Sequence, residues 1–114
     1  MSSSAPTVVL VLTTIAAEAD GPAFARTLVD EQLAACVNVL PAMTSVYRWK
    51  GQVESDREQQ IVIKTTRDRL GALEKRVKEL HAYELPEFVV IAADEGSAAY
   101  LGWVAESVTS AGGE

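Results

Sequence analysis

At 114 residues the chain has the length of one domain, and 48% hydrophobic with 23% charged residues is the composition of an ordinary globular core under a solvated surface. A net charge of -6 repels nucleic acid and anionic membranes, and Arg67, Arg69, Lys75, Arg76 and Lys78 alternate with Asp68, Glu74 and Glu79 instead of forming a phosphate-tracking stripe. The one cysteine excludes an intrachain disulfide framework and fits a reducing, cytoplasmic setting, while no apolar run is long enough for a bilayer and Met1-Ser2-Ser3-Ser4 lacks the charged start of a secretory signal.

In chain order, Val8 to Leu12 is a continuous apolar run closed by Thr13-Thr14, which predicts a central strand buried on both faces. Asp20-Gly21-Pro22 opens a helix, with Asp as cap and Pro in the first turn. Phe24, Leu28 and Leu33 supply its buried stripe, and Arg26, Asp30 and Glu31 its wet face. From Ala35 to Trp49 the pattern is strand, with a bulge or bend at Pro41. Trp49-Lys50-Gly51-Gln52 predicts a tight hairpin, and the return strand runs from Gln52 to about Thr66. A second helix covers Asp68 to Leu80, with Leu70, Leu73, Val77 and Leu80 on one stripe. Phe88 to Ala92 predicts a fourth, buried strand, and Ser97 to Glu106 a short helix carrying Tyr100, Leu101 and Trp103. The tail from Thr109 to Glu114 is expected to fray.

The order β-α-β-β-α-β with a terminal helix is the ferredoxin-like split βαβ arrangement of an α+β domain. One such domain is expected over 1–114, ordered from about 7 to 107, with two helices on one face of a four-stranded antiparallel sheet. The middle hairpin has a further implication. Arms of about fifteen residues extend roughly 50 Å, whereas a domain with a radius of gyration near 13 Å is only about 34 Å across. The hairpin must bend or project, and its tip carries Val46, Tyr47, Trp49 and Val53. Apolar groups on a projecting edge are stabilised by docking on another subunit, so the chain is expected to be an obligate oligomer.

Chemistry-bearing residues concentrate in His81-Ala82-Tyr83-Glu84-Leu85-Pro86-Glu87, which holds the only histidine. Pro86 drives Leu85 out of helical geometry, so this stretch is a helix-to-strand junction. His81 and Glu84 have the spacing of a two-ligand metal pair, and His81 equally suits a helix end whose terminal carbonyls it bonds. A two-residue turn at Lys50-Gly51 sets Trp49 opposite Gln52 and Tyr47 opposite Glu54, all on one sheet face. That group suits either a ligand-facing wall or a subunit contact. Cys36, between alanines and a valine, reads as a small buried hydrophobe, although in an oligomer each subunit adds one thiol to a shared site. Neither a nucleophile elbow, a glycine-rich phosphate loop nor a Ser-His-Asp order occurs, so the chain reads as a non-enzyme. An enzyme with His81 as general base and Glu84 orienting it would have no substrate that the sequence identifies.

Leu33-Ala34-Ala35-Cys36-Val37-Asn38, Ser45-Val46-Tyr47-Arg48-Trp49-Lys50-Gly51, Ile63-Lys64-Thr65, the His81 to Glu87 stretch and Tyr100-Leu101-Gly102-Trp103 occur in one order. Together they closely resemble the CutA family, the divalent-cation tolerance proteins, from about Val8 to Val104. The family usually has proline after the histidine, where this chain has Ala82. The resemblance implies a cytoplasmic homotrimer tied to copper and other divalent metals, with Val46, Tyr47, Trp49, Val53 and Trp103 at its interfaces. On that reading intersubunit clefts are lined by Asn38, Tyr47, Trp49, Glu54, Lys64, Tyr83, His81 and Glu84, with Cys36 close by. His81, Glu84 and Cys36 are the metal candidates, and His81 is expected to matter more than Cys36. Some members have additional cysteines associated with copper; Thr13 and Arg76 stand in those neighbourhoods here. The trimer also looks like the PII signalling proteins, which leaves the alternative of a sensor holding a small organic anion through Lys64 and backbone amides.

Overall fold

The structure is a computed structural model and is described for residues 7–109. It runs β1 (Val8–Ala16), α1 (Gly21–Asp30), β2 (Cys36–Trp49), β3 (Gln52–Thr66), one 3-10 turn (Arg67–Arg69), α2 (Leu70–Leu80), β4 (Val89–Ala92) and α3 (Ala98–Ser107). The sheet order is β2-β3-β1-β4, with every neighbouring pair antiparallel. This is the ferredoxin-like arrangement expected from the element order. Expectations for 1–6 and 110–114, including fraying of the last residues, lie outside the described residues.

Strand alternation divides the sheet into two unlike faces. Val9 and Val11 of β1 and Ile61 and Ile63 of β3 pack with Phe24 and Leu28 of α1 and Leu73 and Val77 of α2. The opposite face is covered only near one end, where Val104 and Val108 of the α3 region meet Val8 and Ala35. The bidentate contact of Arg76 with Glu31, at 2.9 and 3.0 Å, ties α2 to the residue that caps the end of α1.

Local chemistry sets the boundaries. The Asp20 carboxylate accepts from the Ala23 N–H at 3.0 Å and starts α1, and the Ser97 hydroxyl accepts from the Tyr100 N–H to start α3. Lys50 and Gly51 both take positive φ, 51° and 82°, the twist that a two-residue hairpin turn requires. Beside Pro41 the β2–β3 register slips between Val39 and Ala42, which is the predicted bulge.

Several expectations are corrected. β1 continues through Thr13 and Thr14 to Ala16, because Ile61, Gln60 and Glu58 of the long β3 keep pairing with it. Leu33 is buried but lies beyond the end of α1, and α2 begins at Leu70 after the 3-10 turn. Leu80 is 37% exposed, so the last turn of α2 has left the core. The fourth strand is not buried: β4 is a sheet edge, and Val89 and Ile91 are 49% and 44% exposed. Continuous hydrophobicity marked a strand with two apolar faces, but this chain alone covers neither of them there. The long axis measures 51 Å and the radius of gyration is 15.3 Å, so the hairpin does project.

Two glycines test this packing. A Cβ on Gly21 would stand 2.7 Å from both Val39 Cγ1 and Gln59 Oε1, whereas one on Gly71 would meet nothing within 4 Å. Gly21→Ala is expected to lower stability by about 1–2 kcal/mol through overpacking. Gly71→Ala in α2 is expected to raise it by about 0.5 kcal/mol through reduced unfolded-state entropy. Urea denaturation at one fixed subunit concentration measures both, and a Gly21→Ala protein as stable as wild type would contradict the packing described.

Candidate functional site

The bulge decides what the hairpin presents. Before it, Cys36 and Asn38 pair with Lys64 and Val62; after it, Met43, Ser45, Tyr47 and Trp49 pair with Glu58, Asp56, Glu54 and Gln52. Directly paired residues share a face. One inserted residue therefore moves the odd-numbered side chains of β2 onto the face that carries β3's acids.

Segment 81–88 closes the opposite wall. Beyond Leu12, the last residue of β1 that β4 pairs, this irregular segment is held to β1 by the His81 side chain. His81 Nε2–H donates to the Thr14 carbonyl, and the Tyr83 N–H donates to His81 Nδ1 at 3.2 Å. Both ring nitrogens are thus engaged in holding the junction. Tyr83 stacks obliquely on the ring, with centroids 4.6 Å apart, and points its hydroxyl at Glu58 Oε1, 3.4 Å away. Gln60 Nε2 donates to the Thr13 carbonyl at 2.8 Å and contacts Glu87 Oε2 at 3.2 Å. At the tip, Lys50 Nζ comes to 4.0 Å of Glu84 Oε1 between two exposed side chains, an ion pair of little energetic weight.

These walls enclose a cleft of about 580 Å³. Tyr47, Trp49 and Tyr83 form its aromatic part, Met43 and Leu85 its apolar part, and Asp56, Glu58, Glu84 and Glu87 its carboxylates, while Arg48 is the one cation among its lining residues. Glu58 is 9% exposed. Of the predicted cleft residues, Tyr47, Trp49, Tyr83 and Glu84 come together here. Glu54 pairs with Tyr47 but does not line the cleft. Cys36, Asn38 and Lys64 form a separate group on the same face, with Asn38 Nδ2 3.8 Å from Cys36 Sγ and Lys64 Nζ 5.7 Å from the Tyr100 ring centroid. Lys64 lies four positions along β3 from Gln60, about 13 Å at strand rise. Cys36 is half-buried on an edge strand, not enclosed in the core as its neighbours suggested. Thr13 points into the helix-covered core, where its Oγ1 finds no partner.

Asp56, Glu58, Gln60 and Glu87 were not singled out as site residues from the sequence. The signal was present in β3, whose Glu54, Asp56 and Glu58 recur with period two. Among the described residues no three His, Cys, Asp or Glu side chains stand close enough to share a metal ion. His81, Glu84 and Cys36 in particular are not brought together. One chain thus offers carboxylate charge to a cation without a closed coordination shell.

The acidity of the cleft marks both phenols. A hydrogen bond to Asp56, helped by desolvation and by the charges of Asp56, Glu54 and Glu58, pushes the Tyr47 pKa up to about 12. For Tyr83 burial acts first and the Glu58 charge second, again reaching about 12. Both folded values lie above the ordinary 10.0, so the stability from these contacts is present below pH 10 and is lost as pH rises through about 12. Ultraviolet titration is expected to show Tyr47 and Tyr83 ionising only near pH 12, with Asp56→Asn drawing Tyr47 back towards 10. An unshifted Tyr47 titration in that variant would remove Asp56 as its partner.

Comparison with known proteins places this geometry. The family described as CutA1 divalent ion tolerance protein matches residues 9–107. A divalent-cation tolerance protein CutA of Thermus thermophilus is 44% identical over 98 residues, covering 86% of this chain and 95% of that protein. The crystal structure of CutA1 from Oryza sativa superposes with a TM-score of 0.88 at 35% identity, covering 95% of this chain and 99% of that one. A structure described as the PII-like protein CutA from Nostoc sp. PCC 7120, in apo form, gives a TM-score of 0.81 at 38% identity, over 88% and 96% of the two chains.

Proposed function

We propose that this chain, which belongs to the CutA1 divalent ion tolerance family, acts as a non-catalytic cytoplasmic homotrimer that takes copper or another divalent cation at the acidic cleft. The observation that carries this reading is Glu58, a carboxylate nine-tenths buried in a cleft with four acids and one guanidinium among its lining residues. Among the described residues no lysine or arginine lies within 4.0 Å of it, and one long hydroxyl contact leaves it acceptor capacity that a cation would use. Because the carboxylates of one chain do not close a coordination shell, the ion keeps waters as ligands and takes further donors from a neighbouring subunit. His81 orients Tyr83 and the junction, and Cys36 lies apart from the cleft, so neither is the principal ligand.

Trimer formation is supported by what the monomer leaves uncovered. β2 and β4 are both sheet edges, and Val46, Val53, Val89, Ile91 and Trp103 are exposed. Edges of this kind are templates for pairing, and apolar residues on them favour burial against a second copy. Light scattering of dilute protein is expected to give three times the subunit mass. A mass of one subunit at micromolar concentration would refute the assembly and any cleft that depends on it.

Calorimetric titration with copper(II) of wild type, Glu58→Gln, His81→Ala and Cys36→Ala tests the site. Affinity is expected to fall at least tenfold in Glu58→Gln and to stay within about twofold in Cys36→Ala, with the trimer mass unchanged. Loss confined to the cysteine variant would replace the cleft with a thiolate site.

A second reading, a PII-like sensor of an organic anion, is favoured by Lys64, which has no carboxylate within 4.0 Å among the described residues. A melting-temperature rise with inorganic phosphate that disappears in Lys64→Met would support it.

A further inference from the structure

The cleft is larger and more aromatic than a metal ion needs. About 580 Å³ falls within the range of small organic ligand sites. Its lining divides into acceptors and hydrocarbon: Glu58 and Asp56 come from β3, Tyr47, Trp49 and Tyr83 supply aromatic rings, and Met43 lines it with them. Lys50 Nζ stands 5.6 Å from the Trp49 ring centroid, so that ring already attracts an ammonium group of this chain.

Glu58 is the informative group. It is nine-tenths buried, and among the described residues the one hydrogen-bonding contact of its carboxylate is the Tyr83 hydroxyl at 3.4 Å. That separation exceeds the 2.5–3.0 Å of a normal hydroxyl bond. No lysine or arginine lies within 4.0 Å of it among the described residues. Beyond that one long bond, the carboxylate has acceptor capacity left for a donor that enters the cleft. A bare metal ion would satisfy the charge, but among the described residues no three ligating side chains stand together to hold it. An ammonium group needs less: one or two carboxylate acceptors, and aromatic faces that attract its positive charge. Asp56 stands two residues from Glu58 on the same face of β3, about 6.6 Å along the strand. That is room for a second ammonium group or for the alkyl chain joining the two.

We infer that the cleft is a receptor for an organic ammonium ion of the aliphatic amine class, anchored by Glu58 and seated against Trp49, Tyr47 and Tyr83. The inference rests on the reading of the cleft as a cation site and names a second class of cation for it. A divalent ion and an amine would then compete for one negative pocket. The amine differs in drawing affinity from the aromatic wall as well as from the carboxylate.

The test is calorimetric titration of the intact protein with putrescine in chelator-treated buffer, with sodium chloride at matched ionic strength as control and copper(II) in parallel. Wild type is expected to bind putrescine and to gain no comparable heat from sodium. Glu58→Gln, an isosteric change, is expected to weaken putrescine at least tenfold. Trp49→Leu, with the oligomer mass checked, is expected to weaken putrescine several-fold. Asp56→Asn supplies an independent carboxylate variant should Glu58→Gln change the oligomer mass, and is expected to weaken putrescine several-fold. Putrescine heats equal to those of sodium, or putrescine affinity unchanged in both carboxylate variants, would overturn the inference. Copper binding that depends on Glu58 with no putrescine binding would overturn it and leave the divalent-cation reading standing. Absence of binding by both would remove the cleft as a cation site altogether.

Discussion

The pairing of β2 with β3 is the interaction on which the other features depend. It is longer than the domain that supports it, and it contains one register slip beside Pro41. Because strand side chains alternate with period two, a single extra residue exchanges the faces of everything beyond it. Without the bulge, Tyr47 and Trp49 would point towards the side carrying α1 and α2, and Asp56 and Glu58 would face Thr44 and Ala42 instead. With it, aromatic and acidic side chains share one wall. Proline fits this position because β2 is an edge strand, where a missing N–H costs no pairing.

The cleft is completed from the other side of the fold by a segment that forms no regular element. His81 joins it to β1 through its ring, and Gln60 joins β3 to both β1 and Glu87. This gives the histidine ring an architectural role. Imidazole is the side chain most readily read as a metal ligand, yet here one ring nitrogen donates to a carbonyl and the other accepts from a backbone amide. Negative charge is supplied instead by carboxylates on a strand whose own pairing is rigid, so their separation is set by β geometry more than by side-chain choice. The raised pKa values of Tyr47 and Tyr83 come first from the Asp56 hydrogen bond and from burial respectively, and the same carboxylates add to both.

The sheet is stable on one face and incomplete on the other. α1 and α2 bury one side thoroughly, whereas α3 shelters only the Val8 and Ala35 end of the opposite side. The result is a chain with two apolar edges and an acidic cleft beside them. A cleft next to an unfinished edge is one that a second copy would complete or alter. That proximity gives a physical route by which ligand binding and association would influence one another.

What the sequence alone determined was local and periodic. The central β1, the Asp20 cap, the Lys50-Gly51 turn, the bulge at Pro41 and the amphipathic α2 were all legible, because turn chemistry and side-chain alternation act over a few residues. The family resemblance was legible too, since it rests on contiguous motifs. Tertiary structure decided which apolar surfaces are covered and which polar groups meet. Val89, Val90 and Ile91 read as buried because hydrophobicity reports a preference for burial, not the presence of a cover. Cys36 read as enclosed for the same reason. His81 and Glu84 looked like a pair by spacing, but only the fold shows that the ring turns to Thr14 while Glu84 turns to Lys50. Glu58 joins Tyr83 across 25 residues, and their meeting requires the β3 register and the path of the 81–88 segment together. Spacing along a chain carries no information about that distance until the strands are paired.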